Sequence, residues 1–263
     1  MKHVTELLAD ERRQRIVELL AAEGKVKAQQ LVALLKVSED TIRRDLKEMA
    51  EQGLLRRVHG GAMPLTAAAA SGAPWRERVG ADGDEKQALV AAGLAALEGA
   101  RVLFIDSGTT NAVFARRLPR DASFTVVTTS PEVALALCEH ERCEVVMPGG
   151  RLNPRTASLQ GPEVLRLVEA IHADLCVLGV CAISAEAGIT CAEFEEQAVK
   201  QAMVRQARRT VAFATAGKIG AVLPYRVAET HQLSQLFTTA EEDEPELKAI
   251  AAHGPRLACV AVG

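Results

Sequence analysis

From Glu85 onward, short runs of apolar and β-branched residues alternate with segments of helical spacing, and no other feature narrows the possible folds so far. Seven runs predict strands, at 102–105, 124–128, 144–147, 175–180, 211–214, 236–239 and 257–262. Strands separated by helices cannot be joined by tight hairpins, so they run parallel with a crossover between each pair. The expected class is α/β with a largely parallel sheet. No repeat of fixed period is present, which argues against a solenoid.

The first sixty residues have a different grain. In 10–23, Ile16, Leu19 and Leu20 stand at i, i+3 and i+4, and Gly24 follows as a stop signal. Leu31, Leu34 and Leu35 repeat the spacing over a second, shorter helix. Ser38 is a good N-cap with Glu39 and Asp40 in the first turn, where the helix dipole favours negative charge, so a third helix starts there. With Ile42 as the zero of a helical wheel, Leu46 and Met49 fall within about 40°, while Arg43, Arg44 and Lys47 fall between about 100° and 200°. One face packs and the opposite face is cationic.

The stretch Leu54 to Gly61 then reads as a short β-hairpin carrying Arg56, Arg57 and His59. A short helix, a tight connection, a basic third helix and a basic hairpin make a winged helix-turn-helix, the arrangement that lays a recognition helix in the major groove. Arg43, Arg44 and Lys47 are expected at phosphates or guanine edges, and the wing residues beside the sugar-phosphate backbone. Charge agrees modestly: residues 1–63 carry 12 Lys and Arg against 10 Asp and Glu, whereas the remainder carries 19 against 24. Residues 63–74, MPLTAAAASGAP, have linker composition, so the expected organisation is a DNA-binding domain at 1–62, a linker at 63–74 and an α/β domain at 75–263. Trp75, the single tryptophan, is expected to dock the linker onto the second domain.

In parallel sheets ligands bind beyond the carboxyl ends of the strands. Asp106-Ser107-Gly108-Thr109-Thr110 follows the first strand directly and precedes a helix. A glycine lets backbone approach an anion, and hydroxyls with the free N–H groups of a helix start hold a phosphate. Thr128-Thr129-Ser130, Gly149-Gly150, Gly179 and Gly217-Lys218 end the next four strands, and Lys218 is the one cation among them.

Hydrophobic residues at 48% and charged residues at 25% are ordinary for a globular protein. No apolar run nears the roughly 20 residues of a membrane span, and the start lacks a signal-peptide core, so a cytoplasmic protein without membrane association is expected. The six cysteines form no CxxC pair, and Cys138, His140 and Cys143 lack a fourth ligand at metal-site spacing. Neither disulfides, metal nor cofactor is expected.

Two resemblances sharpen this reading. Arg12 to Pro64 closely resembles the DeoR/GlpR family of bacterial repressors, through Val37-Ser38-Glu39-Asp40-Thr41-Ile42-Arg43-Arg44-Asp45-Leu46 and Arg57-Val58-His59-Gly60-Gly61-Ala62. The later half resembles that family's sensor domain, itself similar to ribose-5-phosphate isomerase and CoA-transferase folds. The matching positions are Glu85-Lys86, Asp106 to Thr110, Thr128 to Ser130, Gly149-Gly150, Gly188-Ile189-Thr190, Glu195-Glu196, Lys200, Lys218 and Gly220. The resemblance implies a regulator, without catalytic residues, that binds operator DNA through Ser38, Thr41, Arg43, Arg44 and Lys47, with Arg56, Arg57 and His59 of the wing. It also implies a phosphorylated sugar or sugar alcohol as effector, gripped by Ser107, Gly108, Thr109, Thr110 and Lys218, and release of DNA when that effector binds. Strand ends and resemblance together place Asp106, Thr129, Ser130, Gly149, Gly150 and Glu196 in the same site. Paired DNA half-sites imply a homo-oligomer, dimer or tetramer. The chain departs from the family at Thr129, where asparagine is usual, and at Thr215, where aspartate is usual, which puts the sugar identity in doubt.

Two other readings compete. One is a phosphosugar isomerase-like enzyme carrying a DNA-binding extension, for which Asp106, Glu193, Glu195 and Glu196 are available carboxylates. The other is a structural DNA-binding protein without effector, against which stand the glycines, threonines and lysine at the strand ends.

Overall fold

The computed structural model describes residues 9–23, 26–51, 54–58, 60–63 and 74–262, in two compact units, 1–70 and 71–263. Gly24, His59 and residues 64–73 of the expected linker lie outside the described residues.

In the first unit, α1 (Ala9–Glu23), α2 (Ala28–Leu35) and α3 (Glu39–Glu51) pack with a three-stranded antiparallel sheet, order β1-β3-β2. The wing is β2 (Arg56–Val58) and β3 (Gly61–Met63), and β1 (Val26–Lys27) joins it as a third strand too short to announce itself in sequence. The core unites Ile16, Leu20, Leu31, Leu35, Ile42, Leu46, Met49 and Leu55, including the whole predicted apolar face of α3. Leu34, expected to share the face of Leu31 and Leu35, is 52% exposed. It lies about 100° round the helix from Leu35, beyond the arc an eight-residue helix can bury.

Sequence spacing gave no sign that α3 also buries a charge. Asp45, 3% exposed, accepts hydrogen bonds from Arg12 Nε at 2.5 Å and Arg12 Nη2 at 3.1 Å, and forms an ion pair with Arg13 Nε at 3.5 Å. This fork ties α1 to α3 through an acidic side chain that α3 turns inward.

In the second unit the seven predicted strands form one sheet. They are β4 (Val102–Ile105), β5 (Phe124–Val127), β6 (Cys143–Val146), β9 (Leu175–Gly179), β12 (Thr210–Ala214), β14 (Gln235–Thr238) and β15 (Arg256–Cys259). Their order is β15-β14-β12-β9-β4-β5-β6, and all six pairings are parallel. In the central strand Leu175, Cys176, Val177 and Leu178 are all fully buried, as a strand covered on both faces must be. Phe213 stacks obliquely between Phe114 and Phe237 at 5.5 and 5.4 Å, which centres the core on β12. The chain builds β4, β5 and β6 outward in one direction, then returns to place β9 on the opposite side of β4 and continues outward.

Two small antiparallel elements escape the periodicity reading. A hairpin pairs β7 (Arg151–Asn153) with β8 (Ser158–Gln160), and a second sheet has the order β10-β11-β13 (Ala182–Ser184, Gly188–Cys191 and Tyr225–Ala228). These strands of three or four residues lack the continuous apolar run that marks the strands of the main sheet. Trp75 does dock: its indole Nε1–H donates to Glu132 Oε2 at 2.7 Å and its backbone N–H to the Arg155 carbonyl at 2.7 Å. No helix among the described residues is long and apolar enough to cross a membrane.

Candidate functional site

The first surface is the outer face of α3. Arg43, Arg44 and Lys47 are exposed, opposite the buried Ile42, Leu46 and Met49, and with Glu48 and Arg57 of β2 they line one shallow hollow. Arg43 pairs with Glu39 at 2.7 Å across one helical turn, a solvent-exposed contact that a phosphate readily replaces. At the helix start the Ser38 hydroxyl accepts the Thr41 N–H at 3.2 Å and shares a hydrogen bond with the Thr41 hydroxyl at 2.8 Å. Both hydroxyls therefore fix the amino end of α3, while the cations project from its middle. The side chain of Arg56 and all of His59 lie outside the described residues.

The second surface is a cleft at the carboxyl ends of β4, β9 and β12. It opens where the chain reverses its direction of sheet growth, between β4 and β9, and crossovers leaving such a point on opposite faces create a crevice. Its floor is Ser107 and Gly108, followed by the first turn of the helix α6 (Thr109–Arg116), which presents Thr109, Thr110 and Asn111. Gly108 has φ +141°, a backbone that side chains seldom adopt, and nothing stands within 4 Å of where its Cβ would be. No side chain caps this helix, so its amino end faces the cleft with N–H groups that have no intrahelical acceptor.

Behind the floor lies a buried charge network. The Asp106 carboxylate accepts the backbone N–H of Ser107 at 2.7 Å and of Gly179 at 2.8 Å, and pairs with the ammonium of Lys200. Lys200, on the long helix α9 (Phe194–Gln206), is 1% exposed; it also meets Glu196 Oε1 at 3.4 Å and donates to the Gly179 carbonyl at 3.0 Å. Ser107 donates its hydroxyl to Glu196 Oε1 at 3.2 Å. Burial alone would drive the Lys200 proton off, but Asp106 and Glu196 outweigh it and hold the ammonium above the ordinary lysine range. Gly179 must be glycine, because a Cβ there would overlap the Ser107 carbonyl oxygen and crowd Asp106 and Lys200.

Lys218, in the turn after β12, reaches the same cleft from the other side. Its ammonium is pushed down to about 8 by burial, with Arg78, Lys86 and Lys200 adding repulsion against an opposing pull from the Cys181 thiol. A cation so placed gains most from an arriving anion.

The family models match both halves. Residues 12–67 match the DeoR-like helix-turn-helix domain and residues 82–240 the DeoR C-terminal sensor domain. The chain belongs to the DeoR family. As a DeoR-family member it is a DNA-binding transcriptional regulator of sugar-metabolism genes. It is 33% identical to the HTH-type transcriptional regulator GlpR of Haloferax volcanii over 94% of this chain and 96% of that one. It is 27% identical to the glycerol-3-phosphate regulon repressor of Escherichia coli K12 over 94% and 97%, and 33% identical to the HTH-type transcriptional repressor GlcR of Bacillus subtilis over 87% and 88%. Among solved structures, ribose 5-phosphate isomerase A of Methanocaldococcus jannaschii shares 14% identity over 54% of each chain at a TM-score of 0.38, too low to carry an argument.

Within this DeoR sensor domain, the expected Ser107, Gly108, Thr109, Thr110, Glu196 and Lys218 line one cleft, with Asp106 directly behind. Thr129, Ser130, Gly149 and Gly150 do not line it. They follow β5 and β6, which the strand order puts on the far side of β4 from β9 and β12. Their local roles are structural: Ser130 caps the helix Pro131–Leu137, the Thr129 carbonyl accepts the Leu159 N–H at 2.8 Å, and Gly150 passes close to the Gln160 carbonyl. Thr129 and Thr215, the two departures from the family pattern, are both outside the lining. Lys218 is the cation that the strand ends supply, but it is not alone in the cleft, since Arg78, Arg155 and Lys200 line it too. None of those three follows a strand of the main sheet, so no reading of strand ends could find them. Among the described residues no cluster of His, Cys, Asp and Glu could hold a metal.

Proposed function

We propose that this DeoR-family regulator is a repressor of a sugar or sugar-alcohol operon whose hold on operator DNA is modulated by a phosphorylated sugar or sugar alcohol bound in the β4–β9–β12 cleft. The observation that carries the effector reading is the convergence of an uncapped helix start, the Ser107, Thr109 and Thr110 hydroxyls and the Lys218 ammonium on one cavity. The name of the Escherichia coli relative, a glycerol-3-phosphate regulon repressor, supports a phosphoester as the class. The DNA reading rests on Arg43, Arg44, Lys47 and Arg57 sharing one exposed face. The α/β unit is read as a ribose-5-phosphate-isomerase-like and CoA-transferase-like fold that also holds subunits together, so that two α3 helices address paired half-sites from a homo-oligomer.

Binding without turnover is the better reading of the cleft. Catalysis of isomerisation needs a carboxylate free to take a proton. Asp106 and Glu196 are instead occupied by Lys200 and Ser107, and Glu193 meets Arg155 Nε at 3.3 Å.

Two variants test both receptors at once. Arg44→Ala is expected to weaken binding to duplexes selected by the wild-type chain by about ten- to a hundredfold, the range for losing a bidentate base contact. Its affinity for glycerol 3-phosphate, ribose 5-phosphate or glucose 6-phosphate, read by calorimetry, stays unchanged. Lys218→Ala does the reverse. Loss of both properties in either variant defeats the two-receptor reading.

The cleft also predicts a pH dependence. A phosphate dianion beside Lys218 favours the charged lysine, so binding takes up a proton once the pH passes about 8, the value for the empty cleft. Affinity then falls by up to about tenfold per pH unit above that point. Calorimetry at pH 7 to 9.5 in buffers of different ionisation enthalpy reads the uptake directly. Proton exchange near zero at pH 9 places the anion away from Lys218. Without ligand the sign reverses: the unfolded chain holds this proton up to the ordinary 10.5, so the unit gains stability as pH climbs from about 8.

A further inference from the structure

The helix α4 (Trp75–Val79) opens the described part of the second unit, and it buries no residue. Apolar burial therefore contributes little to keeping it in place. What holds it is a small set of polar contacts. The Trp75 indole donates to Glu132 and its backbone N–H to the Arg155 carbonyl, while buried Lys86 donates from Nζ to the Arg78 carbonyl at 2.6 Å and the Ala81 carbonyl at 2.5 Å. Lys86 thus caps the carboxyl end of α4 with a cation, as a helix dipole favours.

Two of those contacts lead to the cleft, because Arg78 and Arg155 are both part of its lining. Four cations, Arg78, Arg155, Lys200 and Lys218, face the carboxylates of Glu193, Glu196 and Asp106 there, an excess of positive charge that suits an anion. In sequence, α4 is also the first element after residues 64–73, which lead to it from the DNA-binding unit. A weakly buried segment that places one arginine in the ligand cavity and stands at the end of the tether is suited to report occupancy.

Resting on the phosphoester reading of this cleft, we propose that Arg78 is a further anion-contacting residue, and that by gripping the ligand it clamps α4 and so transmits cleft occupancy to the tether of the DNA-binding unit. The ligand favours the clamped state because only there can Arg78 reach it, which is the differential affinity any such coupling requires. By linkage, operator DNA must change phosphoester affinity by the same factor that the phosphoester changes DNA affinity.

Trp75, the single tryptophan, sits on α4 and makes the test direct. The full chain is titrated with ribose 5-phosphate, glycerol 3-phosphate, glucose 6-phosphate and inorganic phosphate, following heat and tryptophan emission together, and then DNA affinity at saturating ligand. In the wild type, binding shifts the emission and changes affinity for selected duplexes by about 5- to 150-fold. Arg78→Gln weakens binding by about ten- to a hundredfold, as loss of a charge-assisted contact does. At saturation it shows no emission change and less than about a twofold effect on DNA. Arg78→Lys restores part of both responses. Wild-type binding with unchanged emission, or full responses in saturated Arg78→Gln, overturns the proposal while the phosphoester reading stands. Absence of heat with all four probes overturns that reading and the proposal with it.

Discussion

Lys200→Met is expected to lower the stability of the C-terminal unit by about 3–5 kcal/mol, because it strands two carboxylates that the fold has already taken out of water. Asp106 and Glu196 are 1% and 6% exposed, and the Lys200 ammonium is the cation between them. Methionine fills the space of the lysine stem but supplies no charge. For a unit of this size the loss corresponds to a fall in Tm of roughly 6–20 °C at neutral pH. Removing the second carboxylate as well, in Lys200→Met with Glu196→Met, should recover part of the loss, since the two sites share one network. A Tm within about 3 °C of wild type at pH 7.5 would show the network to be stabilised by something other than this lysine.

Asp45→Ala is expected to unfold the N-terminal unit while leaving the C-terminal unit standing. The side chain of Arg12 is 10% exposed and that of Asp45 4%, and the pair is bidentate, so breaking it from one side removes both charge-assisted hydrogen bonds from a buried site at a loss of about 3–5 kcal/mol. A winged-helix unit of some sixty residues holds only about that much stability in total. The contrast with Arg43–Glu39 is instructive: that pair is 65% and 54% exposed, and Glu39→Ala should shift stability by no more than about 0.5 kcal/mol. Calorimetric melting with two transitions reads the result. In Asp45→Ala the transition of the small unit disappears below 37 °C, helical ellipticity drops, DNA binding is lost, and phosphoester affinity is unchanged. Retention of both transitions would mean that the apolar contacts of Ile16, Ile42 and Leu46 carry the small unit alone.

Much of the architecture was readable before any fold was in hand. Seven strands separated by helices, a Ser38 cap and the opposed faces of α3 are all properties of residues within one or two turns of each other. The Asp106–Thr110 run was legible for the same reason, since strand, glycine and helix start are consecutive. The pairing of Asp45 with Arg12 escaped because the two lie 33 residues apart, and that of Lys200 with Asp106 because they lie 94 residues apart. Reading every strand end as part of one site placed Thr129, Ser130, Gly149 and Gly150 wrongly beside Lys218, because strand succession in the chain is not strand order in the sheet.

The linear order of residues, by itself, determined the strands of the main sheet, the cationic face and the glycine turn after β4, since each depends on backbone torsions and side-chain period over a few neighbours. Tertiary structure alone decided which turns meet. The return of the chain to seat β9 against β4 opened a crevice on that side and brought Arg78, Arg155, Lys200 and Lys218 into it, while β5 and β6 stand on the other side of β4. Strand pairing is a choice among distant segments made by burial and hydrogen bonding over the whole sheet, and no local window of sequence contains it.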